Sequence, residues 1–408
     1  MSVWELAYRN VLRNRRRSFL TAGVVVFGFA AFALAGGFMS QTFDGLKQGT
    51  IRGGVGHLQV ARAETFRAAE DRTLEHGIAD ASDVQSILKR DSAVEFVLPR
   101  IDFVGLVSNG ARSVPYLGVG LDPGPEAAAM DTKSLVKQGR WFASPSETAV
   151  VMGTGLAAAL RVGPGETVTM FATTPEGVLN ALDVTVAGFA DLPVKEINDR
   201  YLATTLPAAS RLLSVTGVVS KLVVVLRPNR DDRAAKARLE GALRSAGSGL
   251  EVKSWRELAL FYNQVKLLYI GIFGFMGAVL VVVVLLACAN TMTMATTERI
   301  REIGTLRAIG TPPAMIRGMF VVEGVVISVF GCLAGAVLAL VVRAALNSSG
   351  IELPPPPGAS HGMPIHVAFY PATYLAGFAA MLATLALASY LPARRASRVP
   401  IVEALAHV

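Results

Sequence analysis

ERIREIGTLRAIGTPP, residues 298–313, is the one strongly charged island in the apolar C-terminal half of the chain. An apolar run at residues 267–289 precedes it and another at 319–342 follows it. Each run is long enough to cross a bilayer, so the island reads as a connector between two membrane spans. Glu298, Arg299, Arg301, Glu302 and Arg307 fall on a short helix closed by Gly310 and Pro312-Pro313. Ile300, Ile303, Leu306 and Ile309 repeat at three-residue steps and give that helix an apolar face. Positive-inside charge accounts for the arginines, but not for Glu298 and Glu302 interleaved with them on one face. Two readings stay open from the residues alone: an ordinary polar loop, or a helix that docks into a partner's groove.

Working outward, the composition agrees with a membrane protein carrying one sizeable polar portion. Hydrophobic residues make up 52% of the 408 and charged residues only 17%. The net charge of +8 does not call for nucleic acid, because much of the basic excess flanks apolar runs and no basic–aromatic module is present. Spans are expected at residues 18–43, 267–292, 316–342 and 371–391, with a connector at 293–315, a short external loop at 343–370 and a tail at 392–408. Basic residues gather before the first span (Arg9, Arg13, Arg15, Arg16, Arg17), in the connector region (Arg299, Arg301, Arg307, Arg317) and after the fourth span (Arg394, Arg395, Arg398). That bias places both termini and the connector in the cytoplasm and the large polar portion outside. Residues 1–17 read as an amphipathic interfacial helix or as a merely basic tail. Gly23, Gly28, Gly36 and Gly37 in the first span would permit close helix approach. The run at 18–43 is too long for a usual signal-peptide core and reads as an uncleaved anchor.

Residues 44–266 form the polar portion. Strands are expected at 56–60 and 221–226, and helices at 82–90 and 231–245. Turn-rich residues 112–200 contain a strand–helix–strand pattern at 148–171. We read two α+β lobes, an outer one at 112–200 inserted into an inner one made of 44–111 and 201–266. Trp255, Leu258, Tyr262 and Val265 then follow at helical spacing, so a helix is expected to run from this portion into the second span, or a short linker to intervene.

Signs of catalysis are missing. There is no GxxxxGK[ST] loop, no shared histidine motif and no metal-ligand spacing; Cys288 and Cys332 both lie in spans and read as small apolar filler. Glu323 is the one acidic residue well inside a span, where ionisable groups are costly. Its readings are pairing with Arg317 or Arg307, a direct mechanical or substrate role, and, less favoured for want of a second intramembrane acid, a proton relay.

The run TMTMATTERIREIGTLRAIGTPPAMIRGMFVVEG, residues 291–324, resembles the FtsX-type permease domain of the MacB/LolC/LolE superfamily of ABC transporters. AYRN at 7–10, PARRA at 392–396 and VEAL at 402–405 resemble the family's two ends, and GHLQV at 56–60 is similar to its lipoprotein-releasing branch. The resemblance implies four transmembrane helices with a large two-lobed α+β extracytoplasmic domain after the first. It implies a non-catalytic permease of the inner membrane, paired with a second copy or a homologous permease, its domain periplasmic. A separate cytoplasmic ATPase dimer would bind the ATP and Mg, with no cofactor on this chain. Force would enter through Glu298, Arg299, Arg301, Glu302, Gly304, Thr305, Arg307 and Gly310, and pass along a lever at 255–292 that begins with Trp255 and Tyr262. The cargo implied first is lipoproteins or other amphiphiles extracted from the membrane. Alternatives are MacB-style efflux of peptides or hydrophobic compounds with a periplasmic adaptor, and a non-transporting signalling complex.

Overall fold

In a computed structural model of the chain, residues 15–68, 73–354 and 362–406 are described. The interfacial helix expected before residue 15 and most of the proline-rich stretch after residue 353 lie outside them. In chain order the elements are α1 (Arg15–Thr50), β1 (Leu58–Arg62), α2 (Ala81–Leu88), β2 (Val94–Ser108), β3 (Ser113–Leu121), α3 (Pro123–Ala129), β4 (Val136–Gly139), β5 (Ala149–Gly153), α4 (Thr154–Leu160), β6 (Thr167–Thr173), β7 (Leu179–Ala190), α5 (Lys195–Asn198) and β8 (Tyr201–Thr205). There follow α6 (Leu206–Leu213), β9 (Lys221–Leu226), α7 (Asp232–Ser245), β10 (Leu250–Ser254), α8 (Trp255–Leu258), α9 (Leu260–Glu298), α10 (Ile300–Ala308), α11 (Pro313–Ser348), the short β11 (Glu352–Leu353) and β12 (Met363–Pro364), α12 (Pro371–Ala396) and α13 (Ile401–Ala406). The chain divides into two compact units, one of residues 1–44, 265–352 and 364–408, the other of 45–264 and 353–363.

The first unit is helical. Among the described residues four helices are long and apolar enough to cross a membrane, at Ser18–Val55, Tyr262–Glu298, Pro313–Ser348 and Pro371–Ala396. Their shared core contains Val25, Phe29, Val284, Cys288, Ile327, Cys332, Met381 and Leu385. Small residues set the spacing, because lipid supplies no hydrophobic drive and close van der Waals packing must take its place. An added Cβ at Gly331 would sit 2.8 Å from Val25, and one at Gly324 would collide with Ser389. Gly28, Gly36 and Gly37 likewise face neighbours, whereas Gly23 faces open space.

The second unit is organised by β2. Its residues 94–100 pair with β9, which continues antiparallel through β1 to β10. From residue 101 onward the same strand pairs with β3, and from 105 with β6 as well. The path β2–β3–β8–β5–β7–β6 then returns to β2, closing a six-stranded ring. A closed ring has no free strand edges, and alternate side chains fill its interior. Val107, Tyr116, Val150, Met152, Val168, Met170, Val184 and Leu202 do so here. The lobe boundaries expected at 112 and 200 are therefore displaced. The outer part begins within β2 and keeps β8 and α6, because β8 is a ring strand and Thr205 caps α6 directly after it.

Arg100 lies where β2 passes from one sheet to the other. It is buried, pairs with buried Glu126 at the start of α3, and donates to the Gly54 carbonyl. Gly54 sits in the π-helical turn Ile51–Val55 that follows α1, at a φ of 129°. A buried ion pair contributes little net stability but is costly to break on one side, so this one fixes geometry.

His57 stands just before β1, and its Nδ1 accepts the Leu226 amide at 3.2 Å. Burial holds its pKa below the ordinary value; Asp232 opposes this, while Lys47 and Arg52 reinforce it. A depressed histidine binds fewer protons folded than unfolded, so its contribution is complete above about pH 6.5 and is lost as pH falls through the folded value. Thermal unfolding of the purified chain should show a midpoint that drops between pH 7.5 and 5.5. In His57→Gln, whose amide oxygen still accepts the Leu226 amide, that drop should flatten; an unchanged slope would remove His57 as its origin.

Candidate functional site

The charged island supplies α10, which packs against α11, α12 and α13. Threonines loosen the end of α9. Thr296 Oγ1 donates to the Thr293 carbonyl at 2.8 Å and Thr297 Oγ1 to that of Met294 at 2.9 Å, bonds that compete with helix continuation. The helix ends at Glu298, and Arg299 takes φ −107° and ψ 14°. Glu298 and Glu302 thus lie on two helices rather than one face, both exposed.

Arg299 turns inward. Its Nε meets Glu302 at 3.0 Å, its Nη1 meets Glu323 at 3.2 Å, and its guanidinium lies 5.2 Å from the centre of the Phe320 ring. Glu323 is 8% exposed at its side chain and Arg299 12%. Among the described residues Glu323 pairs with Arg299, where Arg317 or Arg307 was expected. Spacing along α11 could not reveal it, because the partner comes from beyond a chain turn.

The apolar face of α10 is also used differently. Ile303 is buried with Ile316 and Phe320 of α11 and Ala393 and Ala396 of α12. Gly304 faces α13, where an added Cβ would lie 2.9 Å from the Ala404 Cβ. Arg307 donates to the Val399 carbonyl. The three-residue apolar repeat is thus split: Ile303 seats α10 in its own chain, Ile300 and Leu306 are half-buried, and Ile309 is exposed. What α10 leaves outward is Arg301, Glu302, Thr305, Ala308 and, at its end, Ile309 at 76% exposure. Thr305 Oγ1 bonds back to the Arg301 carbonyl.

The close of α10 is a C-terminal cap. Gly310 adopts a φ of 97°, its amide bonds to Arg307, and the Thr311 amide reaches Leu306. This is the pattern in which a left-handed glycine satisfies the last carbonyls. Pro313 then starts α11 at a position where a missing amide costs nothing.

Trp255 and Tyr262 belong to the other unit. Trp255 Nε1 donates to Asp232 at 2.9 Å, and Arg256 holds the same carboxylate at 2.6 Å. Burial disfavours the Asp232 charge, but Arg256, Trp255 and the Arg233 amide outweigh it and keep the pKa below the usual range. The Trp255 ring meets Tyr262 edge-on at 4.9 Å and shares a buried cluster with Ile51 and Ala259. The unbroken helix expected from Trp255 is absent: α8 stops at Ala259, at φ −84° and ψ 71°, and α9 begins after it.

Sequence reasoning missed α13 as part of the site; Ala404 opposite Gly304 was its one signal, two small residues far apart in the chain. Among the described residues no group of His, Cys, Asp or Glu could hold a metal.

Four apolar helices with a β-rich domain after the first, and a capped connector between the second and third, define a membrane-embedded permease architecture. Residues 18–242, more than half the chain, match the MacB-like periplasmic core domain, and residues 274–401 match the FtsX-like permease C-terminal domain. The chain belongs to the MacB/LolC/LolE superfamily of ABC transporter permeases. It is similar to the ABC transporter permease YtrF of Bacillus subtilis, 41% identical over 18% of this chain and 17% of YtrF. It is similar to the lipoprotein-releasing system transmembrane protein LolC of Neisseria meningitidis, 27% identical over 64% of this chain and 65% of LolC. With LolE of Haemophilus influenzae it shares 24% identity over 72% of this chain and 71% of LolE. The matches thus span a sixth to about two thirds or slightly more of these relatives' lengths.

Gly304→Ala should push α13 off α10, at a cost of about 1–3 kcal/mol. Tryptic cleavage at Arg398 should accelerate, and Ala404→Gly in the same chain should restore resistance. Equal cleavage in wild type and Gly304→Ala would remove the helix contact as the cause.

Proposed function

We propose that this permease relays ATP hydrolysis by an ATPase on another chain to its β-rich domain, and that its cargo is lipoproteins or other amphiphiles of the inner membrane. One observation carries the reading. The connector is a seated helix, held from behind by α11, α12 and α13, with Arg301, Glu302, Thr305 and Ile309 turned outward. A segment without mechanical work needs no such seat; one that takes a push does. A charged surface around one exposed isoleucine suits a groove in a soluble protein. ATP and its Mg are bound by that ATPase, and no catalytic step falls to this chain. The lipoprotein reading draws support from LolC and LolE, whose names describe a lipoprotein-releasing system.

In this reading the connector and both termini face the cytoplasm, and the β-rich domain faces the periplasm. A second copy or a homologous permease completes the complex, and a periplasmic adaptor is a further partner. The route from the connector to the domain runs along α9 towards Tyr262 and the Trp255 cluster.

Reversing both acids, Glu298→Lys with Glu302→Lys, sets like charge against a surface that accepted carboxylates, which costs several kcal/mol. ATPase retained by the purified permease should fall by about tenfold or more, at unchanged permease levels in the membrane. Full retention in the double variant would sink the docking assignment.

Side assignment is tested with an impermeant maleimide, in a background with Cys288→Ala and Cys332→Ala. Ser146→Cys, on an exposed turn, should label in intact spheroplasts. Val402→Cys, at 80% exposure, should label only after permeabilisation. Labelling of both from one side would refute the orientation.

A further inference from the structure

Both chain connections of α10 are turns. At one end Arg299 departs from helical geometry, and at the other Gly310 reverses the chain. A turn bends more readily than a helix, so the backbone alone does not decide which span follows when α10 is displaced. Side chains decide it, and one tie runs to α11 while Gly304 and Arg307 hold α10 to the segment at Val399 and Ala404. The Arg299 guanidinium is held by Glu323 at 3.2 Å and lies over Phe320, while Ile303 packs on Ile316 and Phe320. Glu323 stands about 15 Å along α11 from its start, at 1.5 Å per residue, so the tie reaches into the helix rather than to its frayed end. An ion pair largely withdrawn from water is a weak stabiliser of a fold but a strict one of geometry, because charges there are costly to misplace.

We propose that Arg299 and Glu323 are a positioning pair that makes α10 and α11 move as one body, so that a push on the connector enters the third span through this pair. The inference rests on α10 being where the ATPase acts. It assigns Glu323 the part of a strut, and it adds α11 to α9 as a path for the displacement. Close packing of α11 on α12, with Gly324 against Ser389 beside the pair, carries α12 along.

The test uses the complex of this chain with the ATPase that copurifies with it, in lipid nanodiscs, with ATP and vanadate as the probe and amide hydrogen exchange as the readout. In wild type, trapping should change exchange at residues 343–349, the far end of α11. Glu323→Gln, neutral and of equal size, should keep the ATPase bound and hydrolysing but lose that response. Glu323→Asp, shorter but charged, should keep most of it. A response that persists in Glu323→Gln overturns the proposal, as does equal loss in the Asp and Gln variants, which would mark a packing role. Loss of the bound ATPase from Glu323→Gln also overturns it, by showing that the pair shapes the docking surface instead. The docking assignment itself fails by a different result, retention of the ATPase when Glu298 and Glu302 are reversed.

Discussion

Backbone amides and carbonyls in lipid must be satisfied within the segment that carries them, and this constraint divides the whole chain. Within the spans it leaves only helix, so α1, α9, α11 and α12 run 36, 39, 36 and 26 residues without a strand between their ends. Outside them the chain is free to pair strands at long range, and it closes a ring that the spans could not contain. The places where the two regimes meet hold the unusual residues. Gly54 takes a left-handed turn after α1, Ala259 interrupts the helix before the second span, and Arg299 ends that span.

The junctions share one solution, a buried charged or aromatic side chain that reaches across a break in the backbone. Arg100 reaches from β2 to the Gly54 carbonyl. Trp255 reaches over Ala259 to Tyr262, with its indole nitrogen fixed by Asp232. Arg299 reaches from the end of α9 to Glu323.

Much of the outline was legible in the sequence. Four long apolar runs with a charged island between two of them report the candidate spans directly, because lipid imposes a crude requirement on composition. The strands at residues 58–62 and 221–226 and the helix at 232–245 were legible for the same kind of reason, as local periodicity. Partner choice was not. Nothing local in β2 says that it serves two sheets, and nothing in Glu323 says that its partner is Arg299 rather than a nearer arginine on its own helix. The isoleucines of α10 show the limit best. Their spacing correctly marked an apolar face, but the same spacing fits a face turned to another protein and one turned to the chain itself. Only the positions of Phe320, Ala393 and Ala404 distinguish the two.

The seat of α10 has a consequence for how the molecule is made. Val399 and Ala404, which hold Arg307 and Gly304, are translated about a hundred residues after the connector, behind two further spans. The connector therefore emerges from the ribosome without its backing and acquires it only when the fourth helix is in place. Until then the surface it offers is unformed. Order of synthesis therefore leaves a half-inserted chain with α10 lacking the contacts that Val399 and Ala404 supply.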